Sequence, residues 1–246
     1  MSLALLSTVS LAPARDAAWH PRVERRARPR HKELAILYSE VAADGNRSRA
    51  YQLAKRSLDI VGACVAIVLL SPIMLVTFAI LLVTTRGKPL YSQTRIGECG
   101  RKFTLFKFRT MVWNAERVLQ FVENEQDGPV FKNRRDPRVT AIGAMLRRFS
   151  IDEMPQLFNV LLGDMSLVGP RPPIESEVCR YETWQLRRLA VKPGLTCLWQ
   201  VSGRCEIGFT QWVRMDLWYI DRQSLWLDLV LLVQTPLAVL TGRGAY

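Results

Sequence analysis

No Cys-x-x-Cys pair occurs in these 246 residues, and the five cysteines (Cys64, Cys99, Cys179, Cys197 and Cys205) stand apart from any histidine cluster. An odd number, with one member inside an apolar run, argues against a disulfide framework or a structural zinc and for a reducing compartment. No recognised nucleic-acid-binding motif follows the arginine- and proline-rich block His20–Lys32, so nucleic acid is not expected as a partner. The opening MSLALLSTVSLAPA has no basic start and carries hydroxyl residues in its apolar part, which disfavours a cleaved signal peptide. Charge itself is missing from one long stretch, because no charged residue falls between Asp59 and Arg86.

Elsewhere charge is plentiful and of one sign. A formal net charge of +12 points to anionic partners, among them acidic lipid headgroups and phosphorylated substrates. The length suits one domain plus a membrane element, and 49% hydrophobic residues suffice for a core. Residues 1–50 show no sustained periodicity and read as a basic, disordered arm.

The uncharged run meets the requirement of roughly 20 apolar residues for a membrane helix. Its flanks are basic on both sides, with Arg47, Arg49, Lys55 and Arg56 before it and Arg86, Lys88, Arg95, Arg101 and Lys102 after it. A single span should have one flank less basic than the other. Ser71-Pro72 lies mid-run, where proline removes a helix hydrogen bond. These features predict a re-entrant helix over residues 51–88, broken at Ser71-Pro72 and returning to the cytoplasmic face; a kinked span is the alternative.

Residues 89–96 and 101–108 are rich in β-branched and aromatic residues around Gly97-Glu98-Cys99-Gly100, which predicts a β-hairpin. Lys107 and Arg109 place cations at its end. A helix is expected over 112–122, and Val139, Ile142 and Leu146 recur at helical spacing before Arg147-Arg148. Next come two adjacent carboxylates, Asp152 and Glu153. With Ser150 as N-cap and Glu153 three residues on, they fit a capping box, and a purely structural role would follow from that alone. The surroundings favour chemistry. After an amphipathic helix over 156–162, Gly169-Pro170-Arg171-Pro172-Pro173 forms a stiff loop whose guanidinium suits bidentate phosphate contact. A carboxylate can attack phosphorus while its neighbour helps hold Mg²⁺.

The stretches KRSLDIVGA…SP, YSQTRIGECGRKFTLFKFRTM, DEMPQLFNVLLGDMSLVGPRP and VKPGLTCLWQVSGR, in unbroken order from Arg49 onward, strongly resemble the bacterial sugar transferase family. These are small monotopic phosphoglycosyl transferases; the closing RGAY is most similar to members that initiate exopolysaccharide assembly. The resemblance implies transfer of a hexose 1-phosphate from a UDP-sugar to undecaprenyl phosphate, with release of UMP. It implies Asp152 as the nucleophile of a covalent phosphosugar intermediate and Glu153 as the Mg²⁺ ligand. Lys107 and Arg171 fall on the family's lysine and Pro-Arg-Pro arginine, and Ser71-Pro72 on its helix break. Cys197 departs from the pattern, standing where the family usually has glycine, and strains the loop if that position needs a positive φ.

Arg204, in the Ser202-Gly203-Arg204 loop, joins Lys107, Arg109 and Arg171 as a candidate phosphate ligand. Phe209–Ile220 and Leu225–Leu240 are apolar with Trp212, Trp218, Tyr219 and Trp226, which predicts interfacial amphipathic helices; core helices are the alternative. The expected fold is α+β and mostly helical: the arm (1–50), the re-entrant helix (51–88) and a cytosolic catalytic domain (89–246). It should sit at the bacterial inner membrane, held by anionic lipids and facing the cytoplasm. The rival is a non-catalytic basic scaffold of a glycan-assembly complex. Oligomeric state, a homo-oligomer included, and the identity of the hexose are left open.

Overall fold

The structure, a computed structural model, describes residues 48–125, 128–203 and 207–241. Nearly all of the expected basic arm lies outside the described residues. So do Arg204 and the closing residues 243–246.

The apolar run forms one 36-residue helix, α1 (Arg49–Thr84), long and apolar enough to cross a membrane. The expected break at Ser71-Pro72 is not a gap in this helix, which continues with Pro72 inside it. The local chemistry explains how. Proline has no N–H to offer the carbonyl four residues back, and Ser71 Oγ donates to that carbonyl, Val68 O, at 2.8 Å.

One face of α1 is docked on the rest of the chain along most of its length. Lys55, Asp59, Ala63, Ala66, Ile67, Leu70, Met74, Thr77 and Leu81 recur at three- and four-residue steps as the contacting or buried positions. That is a single helical stripe. The remaining surface is apolar and open, with Val61, Val65, Val68, Leu69, Leu75, Val76 and Val83 all more than half exposed.

Two strands follow, β1 (Leu90–Ile96) and β2 (Lys102–Phe108), paired antiparallel with Leu90 opposite Phe108. The hairpin is as expected, with a short 3₁₀ turn at Glu98–Gly100. Directly opposed residues share a sheet face. Gln93 and Arg95 therefore lie beside Leu105 and Phe103 on the face that also carries Lys107.

The helix expected over 112–122 shrinks to a turn at Ala115–Val118 and a 3₁₀ turn at Leu119–Phe121. Helix α2 (Ala141–Arg148) and helix α3 (Gln156–Leu162) then form where periodicity placed them. Asn159 of α3 is buried and clamps β2: its Oδ1 accepts from Phe106 N at 3.0 Å, and its Nδ2 donates to Thr104 O at 2.7 Å. At the other end, Arg56 of α1 donates to Val160 O at 2.6 Å and Leu161 O at 2.8 Å. Both carbonyls belong to the last turn of the helix, where intrahelical partners run short.

Strand β3 (Ser166–Val168) pairs parallel with β4 (Gly194–Thr196). Beyond it the Gly-Pro-Arg-Pro loop passes so close to β4 that a Cβ on Gly194 would meet Gly169 N at 2.0 Å. Between the strands lie a turn at Glu175–Val178 and a 3₁₀ helix at Thr183–Ala190.

Helix α4 (Phe209–Asp221) corrects an expectation. It buries Phe209, Trp212, Val213, Met215, Leu217, Tyr219 and Ile220, so it is a core helix and not an interfacial one. Helix α5 (Leu225–Thr241) is two-faced: Leu227, Asp228, Val230 and Leu231 point inward, while Trp226, Val233, Leu237 and Leu240 are mostly exposed. Asp228 meets Lys55 of α1 at 2.8 Å and accepts from Tyr219 at 2.7 Å. Asp59 of α1 accepts from Ser166 Oγ and Leu167 N, each at 2.9 Å. The base of the apolar helix is thus tied to α4, α5 and β3 by buried polar bonds, which are costly to break singly.

Candidate active site

Asp152 and Glu153 lie on a 3₁₀ turn, Ile151–Glu153, between α2 and α3. The expected capping box does not form. Ser150 is left-handed (φ 52°) and makes no side-chain cap hydrogen bond. Left-handed backbone is uncommon for a serine and costs energy. Here it throws both carboxylates toward the β2 end of the hairpin instead of back onto the turn.

Glu153 Oε1 pairs with Lys107 Nζ at 2.7 Å, while Gln200 Nε2 stands 3.5 Å from Glu153 Oε2. Asp152 is buried, only 7% exposed. Burial pushes its carboxyl up to about 6 against the pull of Lys107 and Arg147, and Glu153 adds to the push. Arg147, aligned by its Nε donating to Thr110 Oγ1 at 3.0 Å, is itself pushed down by burial and held up chiefly by Asp152. A carboxylate in such a site is poorly solvated yet faces fixed cations. Those features suit a nucleophile or a ligand of an anionic, metal-bound substrate.

Of the other expected site residues, Arg171 approaches Glu177, 3.8 Å from Nη1 to Oε1, and its guanidinium lies 5.7 Å from the centre of the Trp212 ring. Arg109 is not brought to the carboxylates. Its Nε and Nη2 donate to Lys88 O and Leu90 O at 2.9 and 3.1 Å, and it lies over Trp113. Arg204 lies outside the described residues.

Arg95 and Gln200 were not among the expected site residues. Arg95 is buried and donates to Pro172 O at 3.0 Å, so β1 fixes the loop that carries Arg171. Burial and the like charge of Arg171 push it down to about 10, opposed by Glu177 and Glu153. Its signal was the two-residue alternation of the hairpin, which sets Arg95 on the Lys107 face. Gln200, on the short helix Leu198–Ser202, had no local signal.

Among the described residues no group of three or more His, Cys, Asp or Glu side chains could hold a metal ion. Mg²⁺ seldom needs one. It is commonly held by one or two carboxylates, with waters and substrate phosphates completing the shell. Asp152 and Glu153 supply adjacent hard oxygen donors and fit that mode.

Comparison with known proteins agrees with the sequence motifs. Residues 50–242 match the family described as bacterial sugar transferase. The chain is 41% identical over 200 residues to the exopolysaccharide production protein ExoY of Rhizobium meliloti, covering 79% of this chain and 88% of that one. It is 43% identical to the galactosyl transferase CpsE of Streptococcus agalactiae, over 80% of this chain and 44% of the relative. It is 42% identical to the undecaprenyl-phosphate galactose phosphotransferase of Salmonella typhimurium, over 80% of this chain and 43% of the relative. The chain thus spans less than half the length of the latter two. With all but the first residue of α1 and everything on to the end of α5 inside the match, the chain belongs to the bacterial sugar transferase family.

Proposed function

We propose that this protein transfers a hexose 1-phosphate from a UDP-sugar to undecaprenyl phosphate, releasing UMP, as the first membrane step of exopolysaccharide synthesis. The observation that carries the reading is the buried Asp152 carboxyl beside the Lys107–Glu153 pair and Arg147, in a chain related to an undecaprenyl-phosphate galactose phosphotransferase. In the first half-reaction Asp152 Oδ attacks the phosphorus that bears the sugar. A P–O bond forms, the diphosphate bridge bond breaks, and UMP leaves with its electron pair. In the second, a phosphate oxygen of undecaprenyl phosphate attacks the same phosphorus and the Asp152 carboxylate departs. Lys107, Arg147 and Arg171 offset charge on the phosphoryl oxygens. Glu153 would hold Mg²⁺, with substrate phosphates and waters completing the shell, and the ion would supply charge neutralisation on the diphosphate when bound. Arg204 remains a proposed phosphate ligand on its sequence position alone.

The proposed setting is monotopic: 1–50 an arm, 51–88 a membrane-embedded helix whose two ends face the cytoplasm, and 89–246 the catalytic domain on the inner membrane. The docked stripe on α1 supports this. A spanning helix needs about 20 residues within hydrocarbon, yet successive docked positions from Lys55 to Leu81 are never more than four apart. The exposed apolar surfaces of α1 and α5 then lie in lipid, and anionic headgroups attract the basic chain.

The test is UMP release by detergent-purified protein given Mg²⁺, undecaprenyl phosphate and a panel of UDP-sugars, with Asp152→Asn in parallel. UMP from one donor, lost in the variant, is the expected result. No UMP from any donor with folded protein would sink the proposal and leave a scaffold.

A further inference from the structure

Cys197 breaks the glycine pattern at its position, and the backbone there shows why this is tolerated. Its φ of −152° and ψ of 166° are extended, so glycine's freedom is not required and no strain arises. The side chain is buried, at 4% exposure. Its Sγ donates to Gln200 Oε1 at 3.6 Å, and the other end of that amide, Nε2, faces Glu153 Oε2 at 3.5 Å. Glu153 Oε1 is held by Lys107 at 2.7 Å. A thiol donor, an amide and a carboxylate therefore stand in series behind the pair.

The order of atoms matters. An amide has one accepting and two donating ends, and the end that meets a carboxylate must donate. A thiol proton aimed at Oε1 favours the orientation that turns Nε2 toward Glu153. The reversed amide would leave Sγ only a weak acceptor of N–H and would set a carbonyl oxygen against carboxylate oxygen. Burial pushes the Cys197 thiol up to about 12, so it keeps its proton at working pH.

We infer that Gln200 and Cys197 are positioning residues that hold the Glu153 carboxylate in register for a divalent cation, Gln200 by contact and Cys197 by fixing the Gln200 amide. This rests on the proposed role of Glu153. Groups that orient a metal ligand from behind are commonly worth about 10–100-fold in metal affinity or activity.

The experiment uses the full chain in detergent and reads two quantities: Mn²⁺ binding by electron paramagnetic resonance, and the Mg²⁺ dependence of UMP release. Gln200→Ala should weaken Mn²⁺ binding about tenfold, the low end of that range. Cys197→Ala, which removes the donor, should weaken it a few-fold. Cys197→Ser, which restores a donor, should recover most of the loss. Thermal melting of each variant checks folding. Cys197→Ala binding like the wild type, or Cys197→Ser as weak as Cys197→Ala, overturns the inference. So does a wild type that binds no Mn²⁺. A wild type that binds Mn²⁺ with the expected order of variants, yet releases no UMP from any donor, supports the positioning chain and refutes the transfer reaction instead.

Discussion

Asp152→Asn should stabilise the protein while abolishing its activity, and the structure gives the size. The folded carboxyl is raised from 3.8 to about 6, with burial the leading cause. A group whose folded pKa lies above its unfolded value binds more protons in the native state, so its contribution to stability falls as pH rises between the two values. Below the unfolded value there is no penalty; above about 6 the full penalty is present. A shift of roughly two units at about 1.4 kcal/mol each is a cost of up to ~3 kcal/mol near pH 8. Asparagine is nearly isosteric and never ionises, so it escapes that cost. For a domain of this size, about 2–4 °C per kcal/mol makes the gain roughly 6–12 °C in Tm.

The assay is thermal unfolding of wild type and Asp152→Asn in one detergent at pH 4, 6 and 8. Asp216, also buried and pushed up to about 6, titrates over the same range. It is common to both proteins and cancels in the difference. The gap should be small at pH 4, just above the unfolded value of 3.8, and widest at pH 8. A gap of constant size across pH, or an asparagine variant that melts lower at pH 8, would refute the account of Asp152 as a strained, ionised carboxylate.

The same group sets the acid limb of activity: UMP release should rise through pH 6 as Asp152 ionises, falling about tenfold per unit well below it. Lys107→Met removes the largest pull on the Asp152 carboxyl, so the limb should move toward higher pH and the plateau fall on the order of 100-fold. Arg171→Ala should cost at least ten times more in kcat/KM than Arg109→Ala, whose guanidinium is engaged by backbone carbonyls. Lys55→Met strands the buried Asp228 and should cost about 3–5 kcal/mol in denaturant unfolding, with most of it recovered in Lys55→Met/Asp228→Asn. Single cysteines at Arg49 and Lys88, in a background free of other reactive thiols, should react with an impermeant maleimide from one and the same side of membrane vesicles.

What the sequence revealed was what local rules govern. The hairpin followed from β-branched residues around two glycines, and Gln156–Leu162 from its periodicity, both to within a residue. Asp152 and Glu153 stood out because adjacent acids between cations are uncommon. What stayed hidden depends on distant partners. A Ser-x-x-Glu spacing fits a cap, and only the left-handed Ser150 and the salt bridge to Lys107 decide otherwise. Lys107 and Arg109 share a parity, yet the strand ends at Phe108 and the second side chain turns to the α1–β1 junction. Aromatic content marked both α4 and α5 as apolar without saying what would cover them. The core takes Trp212 fully, whereas Trp226 is left 69% exposed.

Helix α3 links the long apolar helix α1 to the carboxylates. Its C-terminal carbonyls are capped by Arg56 of α1, its middle grips β2 through Asn159, and its first residue follows Glu153 by three positions. Seven helical residues at 1.5 Å each give about 10 Å between the cap and the turn that holds Asp152. The headgroup layer on one side of a bilayer is of the same order, roughly 5–8 Å. On the proposed reading, a helix of this length sets the nucleophile at the depth of a lipid-borne phosphate, while the sugar nucleotide enters from water. Lengthening α3 by one turn would raise the pair by about 5 Å and break the Asn159 clamp, whose two partners on β2 fix its height. The reach of the site is therefore built into the contacts that hold α1 in place, and a change at either end should be felt at the other.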